Sequence, residues 1–390
     1  MTCLTKDTQL GELLELVAEK GLDGMSEPVA ILLNLAMRLE REQYLQAGAY
    51  ERTPGRIDYA NGFKGRSIKT RIGEVDLQIP QVRNGGFYPQ SLEKGIRSER
   101  ALKLALAEMY VQGVSTRKVA QITEQMCGFE VSSTQVSRAS AELDTLLKEW
   151  RDRPLECYPY VFLDAIYENV RHGGKVIDCA VLVAIGVRND GKRQVLGVSV
   201  ALSEAEVHWR TFLQNLQARG LHGTQLFISD DHSGLKAARK SVFPSIPWQR
   251  CQFHLQQNAQ AYVPNRDMKK TVAADIRTIF NAPSNEEALR LLELFTYKYE
   301  KTAPSLAEWA EKNIPESLVV FQFPDEHRKR IRTSNVLERL NKEIRRRTRV
   351  VSIFPNEASC LRLISAVLME ISDDWLSGKA YLSLPSSYGA

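Results

Sequence analysis

The sequence is poor in the features that staple a chain or embed it in a bilayer. Six cysteines, at 3, 127, 157, 179, 251 and 360, fall in no paired spacing. That argues against a disulfide framework and predicts reduced thiols in a cytoplasmic protein. The strongest apolar run, Cys179–Val187, is nine residues long, far short of the ~20 that a membrane helix needs. The opening MTCLTKDTQLGELLELVAEK is amphipathic and acidic, unlike a basic-then-apolar leader. No low-complexity tract and no solenoid-length repeat is visible. What remains is an ordinary soluble globular composition, 43% hydrophobic and 25% charged over 390 residues, long enough for two or three domains.

Charge is where the chain departs from the ordinary. Arg328–Arg349 (RKRIRTSNVLERLNKEIRRRTR) holds ten Lys/Arg against two acids, Glu338 and Glu343. This is a net +8 in a chain whose total is +5. Basicity this local marks a surface that meets a polyanion. A carboxylate such as Glu338 is repulsive there, unless a divalent cation stands between it and phosphate.

Along the chain the period changes several times. Residues 1–50 read as helices, with Leu10, Leu13, Leu14 and Val17, then Leu32, Leu35 and Leu39, at helical spacing; a packing or dimerisation role suits them. A region rich in Gly, Asn and Arg follows, 51–97. Its alternating stretches Ser67–Arg71 and Glu74–Ile79, joined around Gly73, predict a β-hairpin. The hairpin's Arg and Lys suit a DNA backbone or a solvated face equally. Over 98–150, Ser115 precedes a helix Thr116–Met126, Gly128 breaks it, and Ser132 or Ser133 caps a second helix, Thr134–Lys148. That is a helix-turn-helix pattern, with Arg117, Lys118, Gln135 and Arg138 as candidate DNA contacts.

Five near-continuous apolar strands are expected between Tyr158 and His254. Among them a capping box, Ser203 with Glu206, opens a helix carrying Trp209, Phe212, Leu213 and Leu216, and a second helix follows Ser233. Together they predict a mixed sheet with helical cover. Helices Met268–Phe280, Glu286–Tyr299 and Leu306–Asn313 fill 255–330. A helix Val336–Arg347 carries Glu338, with Leu337, Leu340 and Ile344 on its apolar side. Asn356–Ile371 forms the last helix.

Three acids stand out. Asp164 interrupts the apolar strand YVFLDAIY; it either faces solvent or binds a partner, since a buried lone charge is costly. Asp230, beside Asp231, closes QLFIS, at the strand end where sites of open sheets sit, although such an aspartate can equally cap the next helix. Glu338 alone reads as an i,i+4 partner of Lys342. Together the three suggest a hard-metal site for phosphodiester chemistry, where two ions ~3.5–4 Å apart activate one oxygen and stabilise another. Cys251-x-x-His254 has half a zinc spacing with no second pair, which favours a structural role. Trp209, Trp248 and Trp309 read as core residues, Trp309 being the best of them for stacking on a base.

The strings YVFLDAIYENVR, SEAEVHWRTFLQNLQARGL, LFISDDHSGLKAA, WQRCQFH and RTSNVLERLNKEIRRRTRVVSIFPN resemble the mutator-like transposases of bacterial insertion sequences. NGFKGRSIKTRIGEVDLQIP and RNGGFYPQ resemble that family's amino-terminal half, so the likeness runs over nearly the whole chain. The resemblance implies an α/β fold: an RNase H-like mixed-sheet catalytic core (155–254 and 331–390), interrupted by a helical insertion (255–330). Helical and β-hairpin DNA-binding regions would precede it. It implies a DDE triad of Asp164, Asp230 and Glu338, with Asp231 the competing second aspartate, holding two magnesium ions (manganese possible). Arg345, Arg346, Arg347 and Arg349 would position phosphates. The implied partners are double-stranded DNA, at inverted-repeat ends and target, and a second copy of the chain in a homodimer or larger assembly. A DNA-binding regulator, or a nuclease of the same fold that cuts without joining, would share many of these features.

Overall fold

Helical periodicity gives way to alternation near residue 60, and the backbone follows it. The computed structural model describes residues 6–92 and 98–384, and the chain divides into two units, Met1–Leu143 and Asp144–Ala390. The first unit opens with α1 (Lys6–Lys20) and α2 (Ser26–Leu45), followed by the antiparallel hairpin β1 (Ala60–Thr70) and β2 (Gly73–Val82). The hairpin is longer than the sequence alternation predicted, because the first half of β1 is exposed on both faces and so carries no alternating pattern. Strand β2 does alternate: Val75, Leu77 and Ile79 pack under Met37 of α2.

Three helices complete this unit: α3 (Arg100–Val111), α4 (Thr116–Cys127) and α5 (Ser133–Ala141). The caps are those the sequence offered. Ser115 accepts from the Lys118 N–H, Gly128 closes α4 at φ +71, and Ser132 with Gln135 forms a capping box. Val119, Val136, Leu102 and Leu106 make the shared core. The predicted single helix Thr134–Lys148 is in fact two. Tight bonds from the Glu142 and Leu143 N–H groups to the Ala139 and Ser140 carbonyls end α5, and α6 (Asp144–Asp152) begins the second unit.

That unit is built on β3 (Tyr160–His172), β4 (Lys175–Val187), β5 (Arg193–Ala201), β6 (Leu226–Ser229) and β7 (Trp248–Arg250), in spatial order β5-β4-β3-β6-β7. The first three are antiparallel, whereas β6 and β7 add in parallel. Gly173 and Gly174, at φ +56 and +81, make the β3–β4 turn, the left-handed pair that a two-residue hairpin requires. Helices α7 (Glu206–Ala218) and α8 (Ser233–Val242) cover one face. Trp209, Phe212, Leu213 and Leu216 of α7 pack with Leu163, Leu182, Leu196 and Phe227.

The expected Ser203–Glu206 box does not form. Helix α7 starts at Glu206 behind Ala205, and Ser203 only accepts from the Ala205 N–H. The loss is small: a cap contributes about 1 kcal/mol, whereas each large apolar side chain buried on α7 contributes about 1.5–3 kcal/mol before ordering costs.

After β7 come α9 (Gln252–Ala259), α10 (Met268–Phe280), α11 (Asn285–Tyr299) and α12 (Pro304–Asn313), which share their own core of Leu255, Val272, Ile276, Phe295, Leu306 and Trp309. Then α13 (Asp325–Ile331) leads into α14 (Asn335–Thr348) and α15 (Glu357–Ser377), which pack on β3 and β5. Leu337, Leu340 and Ile344 are buried, as their spacing predicted. Helix α15 runs past the expected Ile371, capped by Asn356. Among the described residues, five cysteines are free and no helix is long and apolar enough to cross a membrane.

Candidate active site

Strand register brings the two aspartates together. β3 and β6 pair in parallel with Phe162 opposite Ile228. Two residues further on, that register sets Asp164 beside Asp230, both on one face of the sheet. Asp164 is part-buried; its Oδ1 accepts from the Ala165 N–H at 2.9 Å and its Oδ2 from the Asn341 amide at 2.9 Å. Burial nevertheless dominates and pushes its pKa up to about 6, Asn341 and Ala165 offsetting only part of the shift. Asp230 lies just past the end of β6, where its Oδ1 accepts from the Asp231 N–H at 2.7 Å.

Asp231 turns the other way. It pairs with Arg250 at 3.0 Å and Lys236 at 3.1 Å. Arg250 is 2% exposed and also bonds Asn313 and Glu316. Asp231 therefore serves a buried arginine that joins the sheet to the helical segment, and Asp230 is the one that faces Asp164.

Glu338 arrives on the first turn of α14, on the same helical side as Asn341 three residues later. Among the described residues it ion-pairs with no lysine or arginine, so the Lys342 partnership is not made; Glu343 instead takes Arg346 and Arg347. The charged neighbour of Glu338 is His254. That imidazole sits between the carboxylates, Nδ1 4.0 Å from Asp230 and Nε2 4.0 Å from Glu338. The Cys251 thiol beside it is the largest influence raising the His254 pKa, to about 9, with Asp230 and Asp164 adding to it. Burial alone would push the Cys251 thiol up, but His254 and Ser334 outweigh it and bring it below the usual thiol range. Ser334, just ahead of α14, donates to the Cys251 sulfur from its N–H and its hydroxyl, each at 3.3 Å. The Cys-x-x-His pair is thus part of the site's frame, and Asn341, which the sequence reading did not single out, completes it. Helical spacing from Glu338 was the signal that could have found Asn341.

The donor set suits a hard cation. Asp164, Asp230 and Glu338 lie around His254, and the buried Glu338 Oε1 has no hydrogen-bond partner, an orphan acceptor of the kind a cation satisfies. Magnesium keeps several waters and needs only one or two carboxylates per ion. Among the described residues, however, no three His, Cys, Asp or Glu side chains are arranged to hold an ion; the acids ring His254 instead of meeting at one point.

The candidate DNA contacts divide. Arg345, Arg346 and Arg349 of the basic segment are exposed, but Arg347 is 5% exposed and paired with Glu343 and Glu370. Its expected phosphate role is corrected: with Leu340 and Ile344 it lies on the inward face of α14, where it anchors the helix. In the first unit Arg117, Lys118 and Arg138 are exposed, and so is Gln135, whose side chain also closes the α5 capping box. Trp209 is fully buried, and Trp248 donates to the Ser229 hydroxyl at 2.9 Å. Trp309 stacks on Tyr262 beside a cleft of about 640 Å³ that reaches Arg250 and Asp231.

Comparison with known proteins decides the family. The model of "Transposase, Mutator family" matches residues 2–378. The chain belongs to the Mutator family of transposases. It is 59% identical to the transposase for insertion sequence element IS406 of Burkholderia multivorans, across 94% of this chain and 95% of that one. The transposase for ISRM5 of Rhizobium meliloti is 42% identical, over 93% and 91%. That for IS256 in transposon Tn4001 of Staphylococcus aureus is 38% identical, over 90% and 91%. Within this Mutator transposase the site is assembled from distant segments, the Asp164–Asn341 bond joining residues 177 positions apart in sequence.

Proposed function

We propose that the protein is a DNA transposase of an insertion sequence, cytoplasmic, which binds the terminal inverted repeats of its element and carries out metal-dependent strand cleavage and strand transfer. The observation that carries this reading is the placement of Asp164, Asp230 and Glu338 around one imidazole, next to a helix with exposed arginines. The strand order β5-β4-β3-β6-β7, with two parallel strands added to an antiparallel hairpin pair, supports an RNase H-like core. The separate core of α9–α12 supports a helical insertion within it. What supports Asp230 over Asp231 is that Asp231 is already committed to Arg250 and Lys236.

Asp164, Asp230 and Glu338 would hold two magnesium ions, or manganese. Held there, such ions would supply the positive charge that activates an attacking oxygen and stabilises a leaving one. Every other part is played by the chain. Asn341 and the Ala165 N–H fix the Asp164 carboxylate, and the Asp231 N–H fixes Asp230. Arg345, Arg346 and Arg349 grip phosphates without reading bases. The helix pair α4–α5 docks on the repeat through Arg117, Lys118, Gln135 and Arg138. In the first reaction water adds to phosphorus at the element end and the P–O3′ bond breaks, leaving a 3′-hydroxyl. That hydroxyl then attacks a target phosphate: one phosphodiester forms as another breaks, so no outside energy source is needed. Joining two ends requires at least a dimer on DNA.

Product analysis on end duplex, supercoiled target DNA and magnesium tests the reading. The expected result is nicked ends followed by joined end–target molecules. Nicks without joined product would point to a nuclease. Binding without nicking under any divalent cation would point to a regulator.

A further inference from the structure

The hairpin of the first unit has two unlike ends. Its turn end is tied down: Lys69 donates to the Glu130 carbonyl at 2.7 Å and lies 4.9 Å from the centre of the Phe129 ring, both in the α4–α5 connection. Acids sit at that end too, Glu74 opposite Lys69 and Asp76 opposite Ser67. The other end, Tyr59 and the Ala60–Arg66 half of β1, is open to solvent and pairs with no acid, the partners on β2 being Leu77, Gln78, Ile79, Pro80 and Val82. The one acid within the basic stretch Arg52–Arg71, Asp58, is buried, its oxygens taken by the Tyr59 and Asn84 N–H groups and the Asn84 amide.

The open end is also organised. The ladder slips at a bulge between Ala60 and Phe63, where Gly62 takes φ +71 and Arg41 of α2 donates to the Gly62 carbonyl at 3.1 Å. A bulge of this kind re-aims the next side chain, and Phe63, 44% exposed, lands between two guanidiniums, Arg41 at 4.7 Å and Arg38 at 5.2 Å. Tyr59, 58% exposed, repeats the pattern with Arg56 at 4.9 Å and Arg83 at 5.8 Å. Among the described residues none of these four arginines, nor Lys64 or Arg66, makes an ion pair with a carboxylate. A guanidinium lying on a ring spends its π face there and keeps its in-plane N–H groups as donors. Arg41 gives one to the Gly62 carbonyl, and Arg56 gives its Nε–H and one terminal N–H to the Asp58 and Glu51 carbonyls, which fixes both side chains and leaves their other terminal N–H groups for phosphate oxygens.

We propose that this open half of β1 is a DNA-backbone clamp, in which two exposed rings prop four arginines toward the phosphates beside the segment that α4–α5 contacts. The partner is double-stranded DNA, chosen over a solvated surface because these cations make no salt bridge to a carboxylate among the described residues and four of them are held against aromatic rings. The proposal rests on the reading that the unit binds element ends. Six residues of strand separate Phe63 from the tether at Lys69, ~20 Å, or about 6 bp of duplex.

The experiment measures binding of full-length protein to an end duplex across a salt series, with hydroxyl-radical footprints. Lys64→Ala/Arg66→Ala should lower the slope of log K against log[salt] by about 2. Phe63→Ala removes no charge, yet should also lower the slope, by one to two, and trim about 6 bp from one flank of the footprint; Phe63→Tyr should restore both. A wild-type slope and a full footprint in Phe63→Ala and in Lys64→Ala/Arg66→Ala, beside weakened binding in Arg138→Ala, would overturn the clamp and leave end binding standing. No binding of any end duplex by the unaltered protein would overturn both.

Discussion

Ser334 gives both its backbone N–H and its hydroxyl to the sulfur of Cys251, each at 3.3 Å. These residues are 83 positions apart, and the contact pins the start of α14 to the segment between β7 and α9. Glu338 lies one turn further along α14, and His254 less than one turn along α9. Cys251→Ala should therefore let both drift: cleavage falls roughly tenfold to a hundredfold, the cost of a misplacement of about 1 Å, while end binding holds. Cys251→Ser, which keeps an acceptor, should recover most of the loss. Equal loss in both variants, in a cleavage assay with matched binding, would show that the sulfur itself and not the tether is what counts.

Asp230 and Asp231 should separate cleanly by thermal unfolding and cleavage measured on the same preparations. Asp231→Asn strips one carboxylate from a buried arginine. Glu316 and Asn313 still bond Arg250, so the cost is about 2 kcal/mol rather than the 3–5 kcal/mol of an abandoned buried charge. Asp230→Asn removes a repulsion with Asp164 and an attraction to His254, so the melting temperature should change little, and cleavage should be abolished.

The acid limb of stability should carry a signature of Glu343. Its bonds to Arg346 and Arg347 hold its pKa well below the ordinary 4.5, at about 2. A carboxyl lowered on folding stabilises above its unfolded pKa, and that contribution drains away as pH falls from about 4.5 to about 2. With Glu343 partly exposed, Glu343→Gln should cost about 1 kcal/mol at neutral pH, and the gap to wild type should close toward pH 2. A gap that is constant with pH would remove the ion pairs from the account. Arg347→Ala should cost more, because Arg347 is buried and bonds Glu370 as well as Glu343.

Asn341→Ala removes the amide that steadies Asp164. Cleavage should fall about tenfold with the magnesium requirement shifted upward, since a free carboxylate must be ordered before it can serve. An unchanged magnesium dependence in a metal titration would make Asn341 a bystander.

Much of the fold could be read from local pattern. The runs around Asp164, Val183 and Ile228 are apolar enough to name the sheet, and Ser115, Gly128 and Ser132 punctuate the helix pair where the structure places its caps. Asp164 stood out because a charge inside an apolar strand needs a reason. What stayed illegible was relational. No local signal fixes the parallel register that sets Asp164 beside Asp230, or brings Cys251 to Ser334. The α5–α6 break was missed because Glu142–Leu143 holds no Gly or Pro; tight turn bonds end the helix instead. Arg347 looked like one more arginine of a basic run, although its spacing of seven from Leu340 and three from Ile344 already put it on the inward face.

We infer that Asp164, Asp230 and Glu338 act together as the metal-holding acids of the strand-cleavage reaction. The direct measurement is magnesium-dependent cleavage of an end duplex by Asp164→Asn, Asp230→Asn and Glu338→Gln, with binding of the same duplex followed in parallel. Each variant should bind the end about as well as wild type and cut nothing. Cleavage by all three at wild-type rate would contradict it.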